Sequence, residues 1–239
     1  MSSNNRNNRR QARAPRGYVA ALTPEGQVNK VITDIKNLKD GDDLRCWSAS
    51  ARKELSPFLT IPLQVGPDET SRVYMPKQAL LAASPVVRNY FQQNPTLTTA
   101  KFTHKDIFTV AMKRIAKWLK AVCLEADFPE LNMPEDLKEF MELRLTAHTL
   151  GMERYVEHFD YYYIDDIDCQ RPSLAEIVIV VDYTRKDDDP ILVALANRLG
   201  YLCKHHKIPK ADEEDIVKLL VDPHYSRLLA TAKGLAKKP

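Results

Sequence analysis

Ser84-Pro85 divides an otherwise apolar stretch, VYMPKQALLAASPVVRNYF (residues 73–91), into two short pieces. A serine oxygen can accept from the orphan N–H groups of a first helical turn, and proline loses nothing at the first helical position. The stretch therefore reads as two short helices with a fixed break, not as one long helix. QALLAAS (78–84) favours the first by propensity, and PVVRNYFQQ ends before Asn94-Pro95. Upstream, FLTIPLQVG (58–66) and RVYMPK (72–77) are β-prone runs joined by the turn-rich PDETS. Pro62 and Pro76 cannot donate to a ladder, which places both strands at edges or ends.

The rest reads as helices. Thr103 to Asp106 resembles a capping box ahead of a stripe made by Ile107, Phe108, Ala111, Met112, Ile115, Trp118, Leu119 and Val122. Pro134, Glu135 and Asp136 open a further helix with acids at its positive end, and Gly151 terminates it. MERYVEHF then resumes a helical pattern, and the glycine between makes an antiparallel pair plausible. DYYYIDDIDCQRP (160–172) reads as a connector. Ser173 and Glu176 form a capping box before LAEIVIVVDY, whose β-branched residues favour a strand; the cap decides for a helix. PILVALANRLGYLCKHH, KADEEDIVKLL and HYSRLLATAKGLA complete a helical tail.

The N-terminal region divides in two. Residues 1–17 carry five arginines, no acid and no large aliphatic residue beyond Met1. Such a segment cannot bury enough apolar surface to offset its ordering entropy, so a disordered basic tail is expected. Residues 18–55 form an extension in which Val28, Val31, Ile32, Ile35 and Leu38 share one helical face, while Thr23-Pro24-Glu25-Gly26 also allows a hairpin.

Chemistry-bearing patterns are sparse. The six histidines form no H-x-x-x-H or H-E-x-x-H. There is no P-loop, no G-x-G-x-x-G and no G-x-S-x-G. The acid clusters at 165–169 and 187–189 lack the spacing of a calcium loop and read as solvated loops. The expectation is no catalytic residue, no metal and no cofactor. The four cysteines are widely spaced and read as ordinary thiols in a reducing compartment. With no leader pattern, and with IVIVV (177–181) the longest aliphatic run, the chain is expected to be intracellular, cytoplasmic and/or nuclear, without a membrane partner. A net charge of +3 does not imply nucleic-acid binding. The remote nucleic-acid alternative rests on the arginine tail and the basic residues of 105–120. Three consecutive tyrosines, Tyr161 to Tyr163, cannot all be buried on one side of a helix or strand. At least one, with Tyr162 at the centre, is expected at a junction or partner surface.

The order strand, strand, short helix, Ser-Pro, short helix, long helix, helix pair resembles the BTB/POZ family. Val73, Tyr74, Lys77, Leu80, Leu81, Ser84, Pro85 and Val87 fill the places of its strand-to-helix pattern, with Val87 where the family usually has Phe. Leu143, Ala147, Leu150, Gly151 and Met152 are similar to its leucine-glycine-methionine helix pair. The match spans roughly Ser56 to Phe159, and the tail after it looks like that of many fungal members. The resemblance implies an α+β fold, a small sheet with surrounding helices over 56–163, followed by an all-helical extension over 164–239. It implies a protein–protein interaction module, self-associating or acting as an adaptor, without catalysis. Homodimerisation in the family through a helix before the first strand points to Ile32 and Ile35; a satellite helix on its own domain is the other reading. The alternative, a cullin-type ubiquitin-ligase substrate adaptor, points to Phe91 and Gln93, although Gln93 lacks the acidic charge of the family's cullin-binding pattern. Phe91 could equally be core.

Overall fold

Two prolines in a small sheet are tolerated here because of where the hydrogen bonds fall. In the computed structural model, which describes residues 23–36, 43–55, 57–66 and 71–235, β1 (Thr60–Val65) pairs antiparallel with β2 (Arg72–Pro76). β3 (Ala100–Phe102) lies parallel to β1 on its other side, so β1 is the central strand. That corrects the expectation that Pro62 marks an edge. The bonds Val65 N–H to Ser71 O (3.0 Å) and Lys77 N–H to Leu59 O (2.8 Å) set the ladder's phase. In that phase Pro62 and Pro76 both fall on non-bonded pairs. The missing N–H of Pro62 faces the β3 side, where β3 begins only opposite Leu63. Pro76 ends the edge strand β2, as its chemistry requires. Ile61, Leu63, Val65, Val73 and Met75 are buried, whereas Tyr74 points outward.

The chain then enters α3 (Lys77–Ala83) and α4 (Pro85–Gln93). Ser84 is fully buried; its Oγ accepts from Val87 N–H at 3.1 Å and donates to Leu150 O at 2.5 Å. One hydroxyl thus caps α4 and ties it to the distant Leu150-Gly151 turn. Gly151 has φ +68°, and a Cβ there would stand 2.9 Å from Pro85 Cγ. Gly66 also has positive φ, but a Cβ would meet nothing within 4 Å. Gly66→Ala is expected to cost about 1 kcal/mol, the left-handed penalty alone. Gly151→Ala should lose about 2–3 kcal/mol because backbone strain and a ring clash add. Equal losses by chemical denaturation would remove the close-approach account.

Before the sheet, α1 (Pro24–Lys36) is a helix, not a hairpin strand, and it packs on α3 and α4 through Val28, Val31 and Ile32. A 3₁₀ turn (Leu44–Cys46) and α2 (Ala49–Glu54, capped by Ser48) follow. Arg52 of α2 is buried and donates to the carbonyls of Val122, Glu125 and Ala126 and to Trp47 O. Its cation therefore sits at the negative end of α5 (Thr109–Leu124), where orphan carbonyls collect. α5 starts later than the Thr103–Asp106 box suggests, and Phe108 caps it without a side-chain bond. Asp106 is engaged elsewhere. Its carboxylate takes Arg185 at 2.5 and 3.0 Å, and that partner holds it below the usual carboxylate range despite burial.

α6 (Leu137–Thr149) is capped by Asp136. After a 3₁₀ turn (Glu153–Tyr155), α7 runs from Glu157 to Cys169. The expected connector over 160–172 is thus mostly helix, because Phe159, Tyr163 and Ile167 bury one face at a spacing of four. Residues 163 and 164, where the helical extension is expected to begin, lie inside α7. α8 (Leu174–Tyr183) is the capped helix anticipated from Ser173 and Glu176. α9 (Pro190–Lys204), α10 (Lys210–Val221) and α11 (Pro223–Leu235) complete the described chain. α9 packs on α7, and α8 on α6, so a single hydrophobic core runs from Val28 to Leu228. The fold is α+β and mostly helical, with a small mixed sheet.

Candidate protein-interaction surface

Burying one face of α7 fixes what its other faces show. Phe140 of α6 stacks on Phe159 (5.3 Å between ring centroids) and Tyr163 (6.2 Å). The Tyr163 hydroxyl donates to Glu176 at 3.1 Å. Burial, and then the neighbouring Glu176 carboxylate, push the Tyr163 phenol far up, so it stays a neutral donor. With Tyr163 inward, the helical repeat turns its two predecessors outward: Tyr161 is 75% exposed and Tyr162 is 61% exposed.

Each outward tyrosine borders a groove. Tyr162 lines one of about 480 Å³ between α7 and the segment entering α6. Phe140, Leu137 and Met133 contribute its apolar floor and wall, and Glu135, Asp165, Asp166 and Glu176 its carboxylates. Tyr161 borders another, of about 390 Å³, over the packed rings of Trp118, Phe128 and Tyr155. Arg45 and Arg154 stand at this second groove, with the Arg45 guanidinium 5.9 Å from the Tyr155 ring centre. Arg45 also clasps Asp43 at 2.8 Å. One helix thus presents two aromatic side chains to two grooves, the first with acidic side chains and the second with both signs, Arg45 and Arg154 beside Glu130 and Glu157.

The other residues singled out from sequence land elsewhere. Phe91 is fully buried, edge-on to Tyr90 at 5.6 Å, with Lys77 Nζ 4.9 Å from its ring centre. It is core, and its side chain is not available to a partner, which corrects its place among the surface candidates. Gln93 is exposed at the end of α4, so the apolar and polar halves of the proposed cullin contact face different ways. Ile32 is buried against its own domain; the Ile35 side chain and the tail 1–17 lie outside the described residues. Of the four candidates whose side chains are described, Tyr162 is the one placed at a groove. The groove floor from Met133, Leu137 and Phe140 was missed, because floor and helix come from segments whose adjacency no local pattern encodes.

Among the described residues, no three His, Cys, Asp or Glu side chains converge as a metal site. Cys123 is buried, and desolvation pushes its thiol up to about 11, which leaves it unreactive as a nucleophile. Cys46, Cys169 and Cys203 are exposed and form no disulfide. No described helix is long and apolar enough to cross a membrane. Comparison of the chain with family models, with curated proteins and with solved structures finds no match.

Proposed function

We propose that this chain is a BTB/POZ-like protein–protein interaction module, self-associating or acting as an adaptor without catalysis, and that α7 presents its contact face. The observation that carries the reading is the adjacent exposed pair Tyr161 and Tyr162, each beside a groove. Large aromatic rings with polar tips anchor protein interfaces at low entropic cost. The sheet-and-helix order and the contact of Ser84-Pro85 with Leu150-Gly151 support the family resemblance.

The test is the solution mass of the full chain across concentration. Wild type is expected to rise above the 27.3 kDa monomer, or to hold a partner when used as bait. Tyr161→Ser with Tyr162→Ser should weaken either association about tenfold or more. The same pair should leave stability within about 1 kcal/mol, because both rings are exposed. A wild type that stays monomeric and captures the same proteins as the double variant would sink the reading.

A further inference from the structure

We propose that the acidic groove beside Tyr162 receives the arginine-rich segment Arg6–Arg16 of the same chain. This rests on the reading of α7 as a contact face and names what occupies one side of it.

The groove side has an imbalance. Elsewhere in this region carboxylates are matched: Asp160 with Arg144, Glu139 with Arg114, Asp106 with Arg185. In the groove, Glu135, Asp165 and Asp166 are exposed and Glu176 is half-buried. No salt bridge among the described residues involves any of the four. Among the described residues, no basic one lines the groove. Among the described residues, four carboxylates thus surround apolar and aromatic surface without a counter-charge; Glu176 accepts from the Tyr163 hydroxyl and Asp166 from the Gln170 amide, both neutral donors.

That combination selects for guanidinium. Its planar fork takes a carboxylate through two parallel N–H bonds, and its face stacks on an aromatic ring. Asp165 and Asp166 offer the first contact, and the exposed Tyr162 ring offers the second. The chain carries the complement: Arg6, Arg9, Arg10, Arg13 and Arg16 in a segment free of acids. Length permits the encounter. Arg16 lies seven positions before Thr23 and Arg6 seventeen, about 24 and 58 Å when extended. A compact chain of this size has a radius of gyration of about 18 Å, so the arginines nearest the N-terminus can reach most of the surface around Thr23.

The experiment is trypsin cleavage of the tail in the full chain. Cutting after Arg9, Arg10 and Arg13 should be about fivefold slower in wild type than in Asp165→Asn with Asp166→Asn, the sum of a few exposed charge contacts. The difference should vanish near ~0.5 M NaCl, where such contacts are screened. It should not change with protein concentration, because the encounter is intramolecular. A fluorescent peptide of residues 5–17, added to full chain whose five tail arginines are serine, should bind saturably. That binding should be lost with the Asn pair and weakened by Tyr162→Ala. Equal tail cutting in wild type and the Asn pair overturns the proposal. Protection that grows with concentration assigns the segment to a second copy and overturns it as stated. If the tail is protected but the Tyr161 and Tyr162 variants leave mass and capture unchanged, the interaction reading falls and the clamp stands. If the tail is unprotected while those variants lose association, only the occupant falls.

Discussion

Arg144→Met is expected to lower the unfolding free energy by about 3–5 kcal/mol, the range for removing one member of a buried charge network. Arg144 is 3% exposed on α6. Its guanidinium donates to both oxygens of Asp160 on α7, at 2.5 and 3.1 Å, and to Asp189 at 2.9 Å. Asp189 in turn caps α9 by accepting from Ile191 N–H at 3.0 Å. Removing the cation leaves two little-exposed carboxylates facing each other without it, and a loosened helix start. Arg144→Lys should fall between, since it keeps the charge but loses the fork. Replacing all three by apolar residues of similar volume should recover much of the loss. Urea unfolding measures this. A loss below about 1 kcal/mol for Arg144→Met, the range of exposed pairs, would show that the network contributes no more than a surface contact.

Phe91→Ala is expected to cost about 3–5 kcal/mol, the usual range for a large ring deleted from a closed core. For a chain of this length that corresponds to a midpoint lower by roughly 6–20 °C. The ring lies in the core on the buried face of α4, which packs on α3 and α1, and Lys77 Nζ stands 4.9 Å from its centre. Desolvation already lowers the Lys77 pKa, and loss of the ring removes its one favourable aromatic contact on this side. Phe91→Leu should recover a substantial part. The measurement also separates two roles. A partner contact on the surface would leave stability within about 0.5 kcal/mol when truncated, so a small change would put Phe91 back on the interaction surface.

Both effects concern residues whose sequence context says little about their burial. Arg144 sits among residues of ordinary helical pattern, and nothing near it announces Asp160 or Asp189. Phe91 can be read from sequence either as core or as contact, because an aromatic at the exit of a short amphipathic helix satisfies both. In the same way, Thr103 and Asp106 have the spacing of a cap, yet Asp106 is drawn to Arg185, seventy-nine residues later. A buried charge-assisted bond outweighs a local cap, and α5 starts downstream without one.

Local chemistry by itself determined the hairpin, the break at Ser84-Pro85, the starts of α8 and α9, and the inevitability of an outward tyrosine among three, whereas α6 begins at Leu137, after the Pro134–Asp136 stretch expected to open it. These depend on capping, turn and period rules that act over a few residues. Only the tertiary structure decided that β1 is central, since β3 arrives from thirty-five residues away and stops short of Pro62. It likewise decided that Ile32 faces its own domain, and that Met133, Leu137 and Phe140 floor a groove beneath Tyr162. The physical reason is the same in each case: burial and charge pairing are settled by which distant surfaces meet, and a local pattern fixes only which face is offered.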